Sequence, residues 1–331
     1  MKLSIALPGL IWQDIGDERI YNEITAPKLD NLIKHASTRS LEYNFSDLIY
    51  ATYASEYTDK SLANTFAKQL GVARDYPYFL IAEPTHLRID RDRLLICETE
   101  LLKLSFKETQ IIIDNINSHF SPEIKVYAIN TELWLIGLNL DVSDNQFHPI
   151  LDIIGENIDN YLPRGVNGVE LNKIFNEIQM LLFNLPENLA RKEEGLLTVN
   201  SLWLWDKKID SNIIDSYSKI FTNINLVNLN SAKIKPLSPN LENSLVNNSL
   251  LIVDDLYYPC CYRDFDTWDA KLQLISKCLL EKLDVRKFSQ IDILIPKTSS
   301  TLNLRIRPRN KYKIWNKKLN LIDLFRKYHA L

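Results

Sequence analysis

Residues 249–255, SLLIVDD, predict a buried strand that ends in two carboxylates. A helical pattern follows over roughly 266–283, and two more apolar runs, 291–295 (IDILI) and 302–308 (LNLRIRP), predict further strands. The run LSIAL at 3–7 predicts a matching strand near the other end of the chain. Strands that alternate with helices are typical of α/β proteins. We therefore expect a mainly parallel sheet flanked by helices.

The middle of the chain has a different order of elements. Two strand-like runs, YFLIAE and LLICE, precede a helix whose start is marked by Ser105 and Glu108, which form an S-x-x-E capping box. KVYAI and ELWLIGL then predict two more strands. This ββαββ order is typical of a compact α+β unit that is inserted into a larger domain.

The domain boundaries follow from the ends of this unit. The inserted α+β domain covers residues 75–165. A strongly periodic helical pattern, GVELNKIFNEIQMLLFNL, comes after it and is assigned to the core. The core is therefore expected to be discontinuous and to consist of residues 1–74 and 166–331.

The composition is that of an ordinary globular protein. The chain has 331 residues, of which 46% are hydrophobic and 24% charged, and its formal net charge is −3. A charge so near zero gives no reason to expect a polyanionic or polycationic partner for the whole molecule. No apolar run approaches the roughly twenty residues of a membrane span, so we expect no membrane partner.

The N-terminus and the cysteines both favour a cytoplasmic protein. The first apolar run is interrupted at Pro8 and Gly9, so it predicts a buried strand rather than a signal sequence. The cysteines show no CxxC metal pattern and are expected to be reduced. They are Cys97, Cys260, Cys261 and Cys278.

A series of segments carries a family resemblance. LPGLIWQDIGDE is followed by TAPKLDNLIKHA, and DIIGENIDNYLPRGV comes at the end of the predicted insert. The run PENLARKEEGLLTVNSLWLWD then contains an N-x-x-R pattern followed by an N-x-x-W-x-W pattern. In this order, and over nearly the whole chain, these segments resemble the archaeal-type cofactor-independent phosphoglycerate mutases. The signature residues retained in the last segment are Asn188, Arg191, Asn200, Trp203 and Trp205.

Some runs are closer to a second, related family. EPTHLRIDRDRLL, NEIQMLL and VNSLWLW resemble the bacterial RpfE-type regulatory proteins, a degenerate relative of these mutases. The resemblance implies an alkaline-phosphatase-like core that carries an inserted domain. It also implies a bacterial protein with a regulatory role.

The resemblance further implies that the metal ligands of the mutases are missing here. Phosphoryl transfer of this class needs two divalent ions, held by a cluster of Asp and His ligands. The first-strand aspartate of the family falls at Pro8, and its later Asp-His pair falls around Pro296 and Lys297. Its Asp-x-x-x-His stretch falls at 259–262, which reads PCCY. We therefore expect neither a bound metal nor another cofactor.

Ser46 is the weak candidate for a catalytic residue. It lies in NFSDLIY, close to where the resemblance places the nucleophilic serine of the mutases. A serine without an adjacent base or metal is a poor nucleophile, so a helix cap or a loop position is the favoured interpretation. Asp254, Asp255 and Asp264 lie near the missing ligands and are expected at strand ends and helix caps.

The retained signature supplies the candidate ligand site. Arg191 would offer a forked cation to an anionic group, and Asn200 would orient the ligand with its amide. Trp203 and Trp205 would form walls on which a ligand stacks. Because the two rings alternate on a predicted strand, we expect one to face a cleft and the other to pack in the core. For the rings alone, core packing is the favoured interpretation.

Three functions remain open. The favoured hypothesis is a non-catalytic, phosphoglycerate-mutase-like protein with a regulatory or binding role, whose partner is a protein or a small anionic metabolite. The first alternative is a mutase-type phosphoryl-transfer enzyme with an altered site that uses Ser46 and the nearby aspartates. The second is a nucleic-acid-binding protein that uses residues 305–331, where nine residues are Lys or Arg and one is acidic. A solvated strand and helix face accounts for this segment equally well, so nucleic acid is the disfavoured partner.

Overall fold

The computed structural model divides into two units, one formed by Met1–Ser55 with Ser211–Leu331 and the other by Glu56–Asp210. The boundaries expected from the sequence, after residues 74 and 165, both lie inside the second unit. The residues that the structure describes are 1–12, 23–54, 61–91, 93–224, 233–237, 244–281, 283–307 and 318–328.

The strands are numbered in chain order. They are β1 (Lys2–Ala6), β2 (Ser37–Leu41), β3 (Tyr78–Thr85), β4 (Leu87–Asp90), β5 (Arg93–Ile96), β6 (Ile124–Ala128), β7 (Trp134–Leu138), β8 (Ser201–Trp205), β9 (Lys219–Thr222), β10 (Ile234–Pro236), β11 (Ser249–Ile252), β12 (Gln290–Pro296) and β13 (Thr301–Ile306).

The helices are numbered in the same way. They are α1 (Pro27–Ile33), α2 (Phe45–Ala54), α3 (Leu62–Gln69), α4 (Phe106–Phe120), α5 (Gly168–Phe183), α6 (Pro186–Glu193), α7 (Asn212–Asp215), α8 (Tyr257–Cys261), α9 (Phe265–Ile275) and α10 (Leu321–Tyr328). A single 3₁₀ turn over Thr99–Leu102 precedes α4.

A seven-stranded sheet forms the first unit, with the strand order β10-β9-β11-β1-β12-β13-β2. β1 pairs in parallel with β11 and with β12, so that Ile5 lies opposite both Leu251 and Ile293. β9 and β10 continue the parallel part, whereas β13 and β2 are antiparallel to their neighbours. The apolar runs that predicted buried strands therefore form the centre of this sheet.

Helices cover this sheet, as the alternating pattern predicts. Ile5 and Ile293 belong to one buried apolar cluster, which also contains Leu29 of α1, Trp268 of α9 and Phe325 of α10. Burial of such side chains contributes about 25 cal/mol per Å² of apolar surface, so this cluster stabilises the unit. The predicted α/β class, with a mainly parallel sheet flanked by helices, is confirmed.

The second unit is an α+β structure. Its sheet has the order β6-β7-β3-β8 and is antiparallel, while β4 and β5 form a separate hairpin. Ile112 of α4 and Ile178 of α5 pack together with Ile136 of β7 in the core of this unit. β8 follows α5 in the chain but pairs with β3, with Trp205 opposite Ile81. This pairing explains why the unit extends to residue 210 rather than ending at 165.

The predicted capping box at the start of α4 is confirmed. The Ser105 hydroxyl accepts a hydrogen bond from the Glu108 amide at 3.2 Å, and the Glu108 carboxylate accepts one from the Ser105 amide at 2.9 Å. Both bonds satisfy amide groups that a helix otherwise leaves without partners at its first turn.

Replacing Ser105 with alanine is expected to lower the free energy of unfolding by about 1 kcal/mol, because the cap of α4 is lost. Urea denaturation followed by circular dichroism measures the change. Ser118→Ala is the control, since Ser118 is exposed near the end of the same helix and donates only to the Asp114 carbonyl. Equal losses in the two variants would contradict the capping role.

Two further features concern the cysteines and the helices. All four cysteines are free. Burial raises the pKa of the Cys97 thiol above its usual range, which keeps it protonated and unreactive. Among the helices that the structure describes, none is both long enough and apolar enough to span a bilayer.

Candidate functional site

The carboxyl edge of the parallel strands in the first unit is the position where an α/β sheet commonly holds its ligands. The ends of β1, β11 and β12 meet there: the Leu7 amide donates to the Leu294 carbonyl, and the Val253 amide donates to the Ala6 carbonyl. The residues that follow these strand ends are the ones that would form a site. They are Pro8, Asp254, Asp255 and Lys297.

Ser46 lies in the first turn of α2, fully buried. Its hydroxyl donates to the Asn44 side-chain oxygen at 3.0 Å, and the same oxygen accepts from the Asp47 amide at 2.9 Å. The Asp47 carboxylate accepts in return from the Asn44 amide at 2.8 Å. Asn44 is therefore the capping residue of α2, and Ser46 supports the cap. An amide oxygen is not a base, so this bond does not activate the hydroxyl.

The start of α2 is tied to the carboxyl edge of the sheet. The Asn44 side-chain amide donates to the carbonyl of Thr298, just beyond β12, at 3.1 Å. The rings of Phe45 and Tyr257 lie 4.6 Å apart, which connects α2 to α8. The resemblance placed Ser46 near the ancestral site, and the structure brings it to this edge.

The three aspartates of this region have different surroundings. Burial, and next to it the charge of Asp255, raises the pKa of Asp254 above its usual range. Asp255 itself forms an ion pair with Lys271 at 3.1 Å. Asp264 is the N-cap of α9, and hydrogen bonds from Thr267 hold its pKa below the ordinary value. Two of the three carboxylates therefore have structural partners, as expected for helix caps and strand ends.

The residues at this edge do not fit a pair of divalent ions. Pro8 has no side-chain donor atom, and Lys297 is a cation whose ammonium lies 5.4 Å from the ring of Tyr328. The Cys260 thiol is buried and donates to the Ile11 carbonyl at 3.4 Å. Across the described ranges, His, Cys, Asp and Glu side chains do not come together in any group of three or more that could bind a metal.

Arg191, the cation of the retained signature, is buried in the second unit. Its guanidinium donates to the carboxylate of Glu108 at 2.5 Å, to the carbonyl of Leu197 at 2.7 Å and to the carbonyl of Leu102. These bonds join α6 to the start of α4 and to the turn before it. Burial acts to raise the pKa of Glu108, but hydrogen bonds from Ser105 and Arg191 hold it below the ordinary value. These contacts hold α6 against the start of α4, and we call this arrangement the internal brace.

Asn200 and Asn188 also bond within the fold. The Asn200 side chain accepts from the Leu87 amide at 2.7 Å and donates to the Leu87 carbonyl at 2.9 Å, so it pairs with β4 as a strand residue would. Asn188 accepts from the Val199 amide and donates to the Val199 and Leu182 carbonyls. The polar groups of the signature therefore satisfy backbone groups of the second unit.

Both tryptophan rings are buried. Trp203 is 2% exposed and donates to the His148 carbonyl at 2.7 Å, and Trp205 is 0% exposed and donates to the Glu83 carboxyl at 2.7 Å. The expectation that one ring faces a cleft and the other the core is wrong. Residues two apart on a strand point to the same face, and here both rings pack on that face. Core packing, the favoured interpretation of the rings alone, describes both of them.

Glu83 is a buried acid that the sequence did not single out. It lies in β3 and is 8% exposed. One of its carboxyl oxygens accepts a hydrogen bond from the Trp205 indole at 2.7 Å, and the other accepts one from the Thr99 hydroxyl at 3.4 Å. Burial raises its pKa to about 8, and the nearby acids Glu100 and Glu132 act in the same direction. The signal in the sequence was one acid at the end of the apolar run YFLIAE.

The basic C-terminal segment is described only in part. Residues 308–317 and 329–331, which include Tyr312 and Trp315, lie outside the described residues. Arg305 pairs with Asp292 at 2.8 Å, and Arg307 donates to Gln290 at 3.0 Å. These contacts place the start of the segment on β13, where its cations have protein partners.

The sequence comparisons match only part of the chain. No family model matches it. It is 35% identical over 104 residues to a 2,3-bisphosphoglycerate-independent phosphoglycerate mutase from Methanosarcina mazei, which covers 31% of this chain and 26% of that protein. It is 40% identical over 57 residues, 17% of this chain and 14% of the relative, to a probable enzyme of the same name from Geobacter sulfurreducens. The match thus spans about a quarter of the length of the first curated relative.

Solved structures of similar architecture have low sequence identity. A cofactor-independent phosphoglycerate mutase from Thermoplasma acidophilum is 13% identical with a TM-score of 0.35, and 93% of this chain and 90% of that chain are covered. A Pyrococcus horikoshii protein is 12% identical with a TM-score of 0.48, at coverages of 98% and 91%. At these TM-scores neither structure supports an inference about activity. By its sequence similarity, the chain is phosphoglycerate-mutase-like over about a third of its length.

Proposed function

We propose that this chain is a non-catalytic, phosphoglycerate-mutase-like protein with a regulatory or binding role. The observation that carries the proposal is the chemistry of the carboxyl edge of the first sheet. Pro8 and Lys297 stand where the resemblance implies metal ligands, and a metal site of this class requires oxygen and nitrogen donors there. Two metal ions at this edge would be repelled by the Lys297 ammonium and would find no ligand atom in the side chain of Pro8.

The surroundings of Ser46 and Asp255 support the same proposal. A serine nucleophile needs a base or a metal to accept its proton, and the Ser46 hydroxyl donates to the Asn44 amide oxygen, which is not a base. Asp255 is neutralised by Lys271. A mutase-type enzyme with an altered site, the alternative function, would have to break these contacts before it could use either group.

The proposal that the chain is a regulatory protein of the RpfE type also rests on resemblance. The runs EPTHLRIDRDRLL and VNSLWLW support a place among the bacterial RpfE-type regulatory proteins. An alkaline-phosphatase-like core with an inserted domain and a location in the cytoplasm belong to the same proposal. The regulated partner would be a protein or a small anionic metabolite.

The signature residues do not help to identify that partner. A ligand role for Arg191, Asn200, Trp203 and Trp205 stays a prediction, and their contacts give it no support, because their polar groups bond to the protein itself. We propose instead that these residues were retained because they hold the second unit together.

Metal content and mutase activity test the proposal. We expect untagged protein, incubated with Mn²⁺ and Zn²⁺ and then dialysed, to hold far less than one metal ion per chain by elemental analysis. We also expect no interconversion of 3-phosphoglycerate and 2-phosphoglycerate. The physical reason for both expectations is that Pro8 has no side-chain atom that could bind a metal and that Lys297 is positively charged.

Two results would revive the enzyme hypothesis. One is a pair of tightly held metals in each chain. The other is a mutase activity that Ser46→Ala abolishes and Ser40→Ala leaves unchanged, where Ser40 is an exposed serine of β2 that serves as the matched control.

A further inference from the structure

The strand β6 lies at one edge of the four-stranded sheet in the second unit. The strand order is β6-β7-β3-β8, so among the residues that the structure describes no strand pairs with the outer side of β6. An edge strand presents a row of backbone donors and acceptors to which a strand of another molecule can bond. Whatever covers this row therefore decides whether the unit can associate through it.

The pairing with β7 shows which backbone groups of β6 point outward. Just beyond β6, the Ile129 amide donates to the Leu133 carbonyl, on the side of β7. In an antiparallel pair the N–H and C=O of one residue point to the same side, and those of the next residue point to the other side. Residues 125 and 127 therefore bond to β7. The outward-pointing groups belong to Ile124, Val126 and Ala128.

Asn117 of α4 covers the middle of this row. Its side-chain oxygen accepts from the Val126 amide at 2.7 Å, and its side-chain nitrogen donates to the Val126 carbonyl at 2.9 Å. These are the two bonds that an opposed residue of a neighbouring strand would make. Asn188 bonds to both groups of Val199 in the same way, but Val199 is fully buried, whereas Asn117 is half-buried at the surface. Loss of the Asn117 side chain would thus open Val126 to another strand.

The sequence of β6 is complementary to itself. If β6 of a second copy paired with it in antiparallel fashion about a two-fold axis at Val126, Ile124 would lie opposite Ala128 of that copy. Lys125 would lie opposite Tyr127 of that copy, a cation against an aromatic ring. Within one chain the Lys125 ammonium already lies 5.3 Å from the Tyr127 ring. No two like charges would meet, so side chains on this strand do not prevent the pairing.

We propose that Asn117 blocks association of this chain through β6, by occupying the backbone groups of Val126 that a second copy would need. An incoming strand has to displace both bonds before it can form the central pair of residues. The block resides in one side chain of α4, so a single substitution removes it. It acts within the second unit and does not depend on whether the chain catalyses a reaction.

Sedimentation velocity of the full chain over a range of concentrations tests the block. We expect Asn117→Ala to form a discrete dimer that dissociates on dilution. Its dissociation constant should be at least about 30-fold lower than that of the wild type, because two hydrogen bonds at Val126 become available and each contributes about fivefold.

Two further variants show whether the dimer forms through β6. Asn115→Ala is the matched control, since Asn115 lies on the same helix and its side chain donates to the Ile111 carbonyl of α4. It should associate no more than the wild type does. Adding Tyr127→Lys to Asn117→Ala should restore the monomer, because the new lysine would lie opposite Lys125 of the second copy and like charges repel.

Asn117→Ser serves where Asn117→Ala does not fold, because the shorter side chain cannot make both bonds to Val126. Circular dichroism shows which variants are folded. The proposal is overturned if the folded variant has the dissociation constant of the wild type, or if Tyr127→Lys leaves its dimer intact. It is also overturned if neither variant folds, since Asn117 would then be required for the fold of the unit itself.

Discussion

Replacing Arg191 with alanine is expected to lower the free energy of unfolding by about 3 kcal/mol, the lower end of the range for breaking a buried ion pair, because the Glu108 side chain is 26% exposed. Arg191 is 3% exposed, and its loss leaves Glu108 and the carbonyls of Leu102 and Leu197 without their donor. Urea denaturation followed by tryptophan fluorescence measures the change.

The neighbouring lysine supplies the control. Lys192 is an exposed cation on the same helix, and Lys192→Ala should change the free energy of unfolding by less than about 0.5 kcal/mol. Arg191→Lys keeps the charge but cannot reach all three acceptors, so its loss should lie between the two. If Arg191→Ala were as stable as Lys192→Ala, the internal brace would not exist and a ligand role for Arg191 would regain its basis.

Replacing Glu83 with glutamine is expected to remove a large part of the pH dependence of stability. The pKa of Glu83 is about 8 in the folded chain, against an ordinary value of 4.5. Between these values the unfolded chain releases its proton while the folded chain keeps it, so the wild type loses stability as the pH rises from about 4.5 to about 8. The loss amounts to roughly 4–5 kcal/mol.

Glutamine cannot ionise, and its amide oxygen can still accept from Trp205. The stability of Glu83→Gln should therefore stay nearly level where that of the wild type falls, with the two diverging progressively above about pH 5. Denaturation midpoints at a series of pH values measure the difference. Glu123→Gln, at an exposed position of the same unit, should follow the wild type. A Glu83→Gln curve that coincides with the wild type across this range would show that Glu83 is ionised in the folded chain.

The parts of the fold that local pattern specifies were predictable. β1, β11 and β12 are short apolar runs, and the start of α4 is marked by Ser105 and Glu108. β2 was missed because its sequence, STRSL, lies exposed at the sheet edge and has no apolar face. The place of β8 was missed because its pairing with β3 joins residues more than a hundred positions apart.

The candidate site was predicted less well, because its residues act through distant partners. The sequence predicted that Arg191 binds an anionic ligand. Its partner in the fold is Glu108, 83 positions earlier in the chain, and nothing in the segment around Arg191 indicates this ion pair. The two tryptophans share a face of β8, and strand periodicity alone was enough to predict that. Ser46 was placed correctly at a helix start, but the cap itself is Asn44.

The topology of the first sheet has a consequence for synthesis of the chain. β1 leaves the ribosome first, but both of its neighbours, β11 and β12, lie beyond residue 248. At about 5–20 residues per second, β1 waits roughly 10–50 s before either neighbour has been translated. The second unit, Glu56–Asp210, is complete in the nascent chain shortly before then. An apolar strand with both edges unpaired is prone to aggregate, so we expect a chaperone that binds nascent chains to protect β1 during this interval.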